Sequence, residues 1–315
     1  MSENVFMKKF KVSVVIPVFN AELTIVKITK IIIDEVKPFA SSCEIILVDD
    51  YSSDNSWGII KHLSKNNKNI LGLKMAKNYG VDKAITAGLR RSSGDYVYII
   101  SCDLQDPIGK MSTMLERMIN NKSADIVCSF FTNKHPESIF SKFFSKLYWR
   151  FFSFFIDSHY PEEEGLYRLL SRKAVNFYLN HTNNFKHIKI LHDTGLKKEY
   201  VEMEHLYRNS GESGYTFVKK IKFAVDYITT YSYIPLIFSA LISFTIAVIA
   251  FLFSLSFLVL RMMDIIVLPG WTSLIVIITF FFTFLFFNLS ILAIYLSKSI
   301  EENKRPNLYF ISEES

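Results

Sequence analysis

Along the first half of the chain, short unbroken apolar runs alternate with longer stretches in which apolar positions recur every third or fourth residue. Lys11–Phe19 (KVSVVIPVF), Glu44–Val48 (EIILV), Ile70–Met75 and Tyr96–Ile100 (YVYII) are runs of the first kind. They are rich in β-branched or aromatic residues and close on turn formers, which predicts buried strands. Between them, Leu23, Val26, Ile28, Ile31, Ile32 and Val36 mark a helical stripe over Ala21–Val36, with Asn20 placed to cap it. Ser56–Lys65 and Lys83–Arg91 predict two more helices, and Ala124–Phe131 (ADIVCSFF) another strand. Strands alternating with helices predict an α/β fold whose mainly parallel sheet is covered on both faces. Such sheets bind ligands outside the carboxyl ends of their strands. Three of those ends carry Pro17–Asn20, Asp49–Asp54 and Ser101–Asp106.

The pattern changes further on. Asn133–Phe155 reads as an aromatic helix on which Lys142, Lys146 and Arg150 form one basic stripe, suited to an anionic membrane surface or to ordinary solvation. Tyr215–Thr230 is basic and amphipathic, an expected juxtamembrane helix. Thr229–Leu260 and Ile265–Ser297 hold no charged residue, and each exceeds the ~20 residues that cross a bilayer core, so both are expected to be transmembrane helices. Lys219, Lys220 and Lys222 precede the first span and Lys298, Lys304 and Arg305 follow the second, with only Arg261 between. Positive-inside orientation then predicts a multi-pass protein of the inner (cytoplasmic) membrane with its catalytic domain in the cytoplasm. The expected organisation is a catalytic domain over 1–212, the juxtamembrane helix over 213–230, a two-helix anchor over 231–297 and a cytoplasmic tail over 298–315.

Composition adds little to this. Of the 29 phenylalanines, 12 fall after Tyr231, and a net charge of +6 without any nucleic-acid motif gives no case for a nucleic-acid partner. Cys43, Cys102 and Cys128 lie in or beside apolar runs with neither zinc nor disulfide spacing, as buried thiols in a reducing compartment would. The apolar run near the N-terminus lacks a cleavage pattern after it, so no signal peptide is expected.

Chemistry concentrates in Gly94–Pro107, GDYVYIISCDLQDP, where a strand delivers Ser101, Asp103, Gln105 and Asp106 in quick succession. Oxygen donors of this kind suit Mg²⁺ or Mn²⁺, which keeps one or two protein carboxylates and takes its other ligands from substrate phosphates. An acidic surface turn gives the same string. Neither a P-loop nor a dinucleotide-type glycine loop is present, which argues against an ATPase or a dehydrogenase. His192, Glu202, Glu204 and His205 share no convincing helical face and read as a solvated surface.

VSVVIPVFN, IILVDDYSSDNS, KNYGVDKAITAGLRRSSGDYV and SCDLQDP, in that order, resemble a family 2 glycosyltransferase with the GT-A fold. DLQDP and the later GLYRLLSRKAV are similar to the polyprenyl-phosphate type, the group of dolichol-phosphate mannose synthase and the bactoprenol glucosyltransferases. The resemblance implies a Rossmann-like GT-A domain that transfers a sugar, with inversion, from a UDP- or GDP-sugar to a polyprenyl phosphate, undecaprenyl phosphate in bacteria. It implies a Mg²⁺ or Mn²⁺ held by Asp103 with Gln105 close by, and a nucleotide-sugar pocket lined by Pro17, Asn20, Asp49, Asp50, Ser101 and Gln105. Arg168 and Arg172 are the expected clamp on the acceptor phosphate, with Ser145 and Lys146 matching a Ser-Lys pair near it. Asp103, Arg168 and Arg172 form the expected catalytic set, and a homo-oligomer is implied as well.

The chain departs from the pattern at Ser101, Leu166, His205 and Gly214, where Asp, Asp, Arg and Lys are usual. Losing a base at Leu166 is tolerable for a phosphate nucleophile, already an anion near pH 7. With a sugar hydroxyl it would cost about 10²–10⁴ in rate. A family 2 transferase acting on a glycan or protein hydroxyl, and a catalytically weakened membrane scaffold, are the alternatives.

Overall fold

The computed structural model describes residues 10–120, 124–132, 164–181, 191, 194–204, 236–246, 248–249, 252, 263, 271–304 and 309–315. They divide into two compact units. One is Met1–Ser138 with Tyr160–Glu212 and Asn307–Ser315, the other Ile139–His159 with Ser213–Pro306.

The first unit is built on one eight-stranded sheet in the order β7-β5-β6-β4-β1-β2-β3-β8. Strands β1 (Lys11–Val18), β2 (Ser42–Asp49), β3 (Ile70–Met75) and β4 (Tyr96–Ile99) are parallel neighbours at its centre. Helices α1 (Ile25–Val36), α2 (Ser56–Asn66) and α3 (Val81–Arg91) supply the crossovers, as the apolar periodicity predicts. A 3-10 turn, Ile108–Lys110, then leads into α4 (Met111–Asn120) and β5 (Ile126–Phe131).

Alternation along the central strands divides the core in two. Val12, Val14, Ile16, Ile45, Leu47 and Tyr98 face a cluster that includes the stripe Ile25, Ile28 and Ile32 of α1. Val15, Ile46, Val48, Val97 and Ile99 face Ala84, Ile85 and Leu89 of α3. Helix α3 lies so close to the sheet that a β-carbon on Gly88 would sit 2.3 Å from Val15 Cγ1.

Two strands, β6 and β8, run against the other six and make the mainly parallel sheet mixed. β6 (Glu164–Ser171) runs antiparallel between β4 and β5, and β7 (Lys198–Met203) joins the far edge parallel to β5. β8 (Ile311–Glu314) comes from the segment expected as a tail and pairs antiparallel with β3, closing the opposite edge. Helix α5 (Arg172–Asn180) follows β6, its start capped by the Ser171 hydroxyl, which accepts from Ala174 N at 3.2 Å.

In the second unit the chain is helical over residues 236–246 and in α6 (Trp271–Lys304). Ser243 Oγ is 2.7 Å from Asn288 Oδ1. The expectation of two transmembrane helices is corrected: among the described residues no helix is long and apolar enough to cross a membrane. Helix α6 is punctuated by Thr279, Thr283, Asn288 and Ser290, and it continues beyond the expected end of the span into Lys298, Glu301, Glu302 and Lys304. The multi-pass inner-membrane location and cytoplasmic orientation inferred from those spans fall with them. The expected helices over 133–155 and 215–230 lie outside the described residues.

Candidate active site

The strand order reverses between β1 and β4, since β1 leads to β2 on one side while β4 joins on the other. In open α/β sheets the ligand crevice lies at such a switch point, outside the carboxyl ends of the strands. The backbone marks the same place. Among the described residues, the non-glycine residues with positive φ are Asn20 (49°), Tyr51 (65°) and Leu104 (60°), one just past each of β1, β2 and β4. A left-handed conformation costs a side-chain-bearing residue roughly 1–2 kcal/mol and persists where its surroundings fix it.

The surroundings here are a mesh of strand-end polar groups. Asn20 N donates to Ser52 Oγ at 2.9 Å, and Asn20 Oδ1 accepts from Ser53 N at 2.9 Å. Glu22 N donates to Asp54 Oδ2 at 3.1 Å, and Ala21 N to Ser56 Oγ at 3.0 Å. The first two strand ends are thus laced together before any ligand arrives.

Adjacent aspartates take different roles. Both Asp50 oxygens accept backbone hydrogen bonds, from Tyr79 N at 2.7 Å and Gly80 N at 2.8 Å. Asp50 therefore anchors the turn that opens α3; the structure gives it a scaffold role where the sequence pointed to the nucleotide. Asp49 Oδ1 accepts from Ser52 N at 3.2 Å, whereas Asp49 Oδ2 is buried without a hydrogen-bond partner. An unsatisfied buried acceptor costs ~1–3 kcal/mol, which a ligand N–H would relieve. Burial raises the Asp49 pKa against the opposing hydrogen bonds from Ser52 and the charge of Lys74. Pro17 is buried within β1, in register with Val48.

The third strand end is shaped by Asp106. Ser101 N donates to Asp106 Oδ2 at 2.8 Å, which closes the loop SCDLQD on itself. Asp106 is 5% exposed; burial, aided by the charge of Asp103 and opposed by the Ser101 hydrogen bond, pushes its pKa up to about 7. Asp103 is less enclosed, and its Oδ1 accepts from Gln105 N at 3.2 Å. Asp103, Gln105 and the Ser101 hydroxyl thus share one tight loop, with the buried Asp106 carboxylate holding it. No cluster of three or more His, Cys, Asp or Glu able to hold a metal exists among the described residues. One carboxylate with neutral oxygen neighbours nonetheless fits a cation that draws most of its ligands from a diphosphate.

The two expected arginines are committed elsewhere. Arg168 is 1% exposed, with Nη2 3.0 Å from both Glu164 Oε1 and the Gly165 carbonyl oxygen. It sits in register with Ile99 on one side and Cys128 on the other, inside the sheet. Arg172 donates from Nε to the Gly94 carbonyl at 2.8 Å and from Nη1 to the Ser92 carbonyl at 3.1 Å. That contact secures the entry to β4, the end of the strand opposite Ser101. The expected phosphate clamp is corrected accordingly, because both guanidiniums are bound to protein groups. Ser145 and Lys146 lie outside the described residues.

The protein-family model described as Glycosyl transferase family 2 matches residues 13–179, from β1 through α5. The chain belongs to that family. It is a glycosyltransferase, and the crevice at the ends of β1, β2 and β4 is its candidate active site. Relatives match beyond the family region. An uncharacterised glycosyltransferase of Bacillus subtilis is 28% identical over 95% of this chain and 92% of its own length. The prophage bactoprenol glucosyl transferase homologue of Escherichia coli is 27% identical over 94% of this chain and 97% of its own. The undecaprenyl-phosphate 4-deoxy-4-formamido-L-arabinose transferase of Proteus mirabilis is 29% identical over 82% of this chain and 78% of its own.

Sequence reasoning missed the Asp106 lock and the Glu164–Arg168 pair. Only the first left a signal: a buried acid that closes its own loop follows from DLQDP, where Pro107 ends the turn.

Proposed function

We propose that this family 2 glycosyltransferase moves a sugar from a nucleoside-diphosphate sugar to a polyprenyl phosphate, undecaprenyl phosphate in a bacterium. The observation that carries the donor half is a pair of strand ends flanking β1: a buried, unpartnered Asp49 oxygen past β2 and the Asp103 loop past β4. Asp49 accepts from an N–H of the base, Asn20 borders the ribose, and the diphosphate lies toward Ser101, Asp103 and Gln105. Asp103 with Gln105 would hold a Mg²⁺ or Mn²⁺, which when bound offsets the charge gathering on the leaving nucleoside diphosphate.

The acceptor half is supported by relatives whose names specify bactoprenol and undecaprenyl phosphate. The chain's own chemistry agrees. Leu166 stands where a base would serve a hydroxyl nucleophile, and a phosphate anion needs none. The lipid phosphate attacks the anomeric carbon from the face opposite the diphosphate; the new C–O bond forms as the bond to the nucleotide breaks, inverting the centre. Lys146 with Ser145 is the pair proposed to meet the acceptor phosphate, and a homo-oligomer belongs to the same proposal.

The test is a panel: purified full-length protein with UDP- and GDP-sugars, Mn²⁺, and undecaprenyl phosphate, dolichyl phosphate or a sugar hydroxyl as acceptor. Product on a lipid phosphate is expected. Product on the hydroxyl acceptor alone would replace this reading with glycan transfer, and no product on any acceptor would leave a scaffold.

A further inference from the structure

One row of charges crosses the sheet edge from the base subsite to the last strand. Asp49 of β2 is in register with Lys74 of β3, and Lys74 with Glu313 of β8. Register partners on neighbouring strands project from the same face, so the row reads acid, base, acid. The lysine leans toward the far acid: Lys74 Nζ is 4.0 Å from Glu313 Oε1 and 5.7 Å from the centre of the Trp57 ring. Glu313 is fixed in turn, its Oε2 accepting from Trp57 Nε1 at 3.0 Å and Lys61 Nζ at 3.3 Å. Asp49, on the other flank of the same lysine, keeps Oδ2 without a partner.

We propose that Glu313 is a positioning residue for nucleotide binding: by holding Lys74 on the β8 side of the row, it keeps the Asp49 carboxylate available to the base of the donor. Two acids flank one lysine, and whichever loses it is left as an acceptor. Without Glu313, Lys74 turns to Asp49, and the base must displace an ammonium before it can bind. Backbone pairing supports the arrangement at either end of β8. Ser315 and Gly72 exchange hydrogen bonds at 3.0 and 3.1 Å, and Ala76 N donates to the Phe310 carbonyl at 2.9 Å. The strand that closes the sheet therefore also sets the electrostatics of its donor pocket, an inference that rests on Asp49 as the base contact.

The experiment measures affinity by calorimetry on full-length protein with Mn²⁺, for UDP, for GDP and for pyrophosphate, which has no base. Glu313→Gln is expected to weaken the tighter nucleotide roughly fivefold, the scale of one contested charged hydrogen bond, and to leave pyrophosphate unchanged. Adding Lys74→Met to Glu313→Gln removes the competing cation and is expected to restore nucleotide affinity. An unchanged nucleotide affinity in Glu313→Gln overturns the proposal. So does a loss that extends to pyrophosphate or survives Lys74→Met, since Glu313 would then act by docking β8. Asp49→Asn separates the two levels of the argument. If it leaves nucleotide affinity intact, the base contact itself is wrong; if it weakens nucleotide binding while Glu313→Gln does not, only the role of Glu313 falls.

Discussion

Replacing Arg168 by Met distinguishes a buried structural pair from a substrate clamp, and the structure sets the size of the effect. The guanidinium is 3.0 Å from Glu164 Oε1, with both side chains out of water. At that separation the Coulomb attraction is about 5 kcal/mol at an effective dielectric of 20. Arg168→Met removes it, together with the hydrogen bond to the Gly165 carbonyl, and leaves the buried Glu164 charge with the Tyr200 hydroxyl and Cys128 thiol but no counter-charge from Arg168. Glu164 escapes by taking up a proton, which for an ordinary carboxyl costs about 4 kcal/mol at pH 7 and so caps that part of the penalty. A loss of about 3–5 kcal/mol is expected, the range found when one partner of a buried pair is removed.

The sign of the pH dependence follows. A carboxyl that must be protonated in the fold favours unfolding as pH rises, so the deficit of Arg168→Met shrinks by about 1.4 kcal/mol per unit from pH 7 toward pH 5. The combined Glu164→Gln, Arg168→Met variant carries no stranded charge and should recover most of the loss. Urea titration followed by near-ultraviolet circular dichroism measures all three, with transfer assayed alongside. A stable Arg168→Met protein whose only defect is a higher requirement for lipid phosphate would refute the assignment and return Arg168 to the acceptor.

Two further perturbations probe the scaffold. Burial raises the Glu44 pKa, but hydrogen bonds from Ser13 and Ser93 and the charge of Lys11 outweigh it, leaving the group below its ordinary 4.5. Its stabilisation is then present above pH 4.5 and lost as pH falls below that value, so Glu44→Gln should flatten the acid limb of a stability-versus-pH curve; an unaltered limb would contradict this. Gly88→Ala gains ~1 kcal/mol of helix propensity, yet its β-carbon would meet Val15 Cγ1 at 2.3 Å. Overpacking of ~1–3 kcal/mol should win, and a thermal melt at or above the wild-type midpoint would show otherwise.

The legible parts of this fold were those with strong local periodicity. Strands β1 to β5 and helices α1 to α3 lie within a few residues of their expected bounds, because alternation and the 3.6-residue repeat are local properties. Strand β6 was hidden because its residues, EGLYRLLS, carry charges at Glu164 and Arg168 that break the apolar run expected of a buried strand. β8 was hidden because ISEE has one apolar residue and is held through Trp57, Lys61, Lys74 and Arg91, all more than two hundred positions away. Charge-free stretches after Thr229 promised membrane spans, and among the described residues no helix is both long and apolar enough to be one. In the site, residue type pointed to the loops after β1, β2 and β4, whereas the partition between Asp49 and Asp50 needed the backbone amides of Tyr79 and Gly80.

The most direct test of the account is metal-dependent nucleotide binding by Asp103→Ala. Calorimetry with UDP and GDP, with and without Mn²⁺, should show that the wild-type protein binds the tighter nucleotide at least tenfold better with the cation. The variant should lose that enhancement and transfer no sugar to lipid phosphate, while its residual cation-free affinity is unchanged. Cation-enhanced binding that persists in Asp103→Ala would contradict the assignment of the SCDLQD loop as the site of the diphosphate.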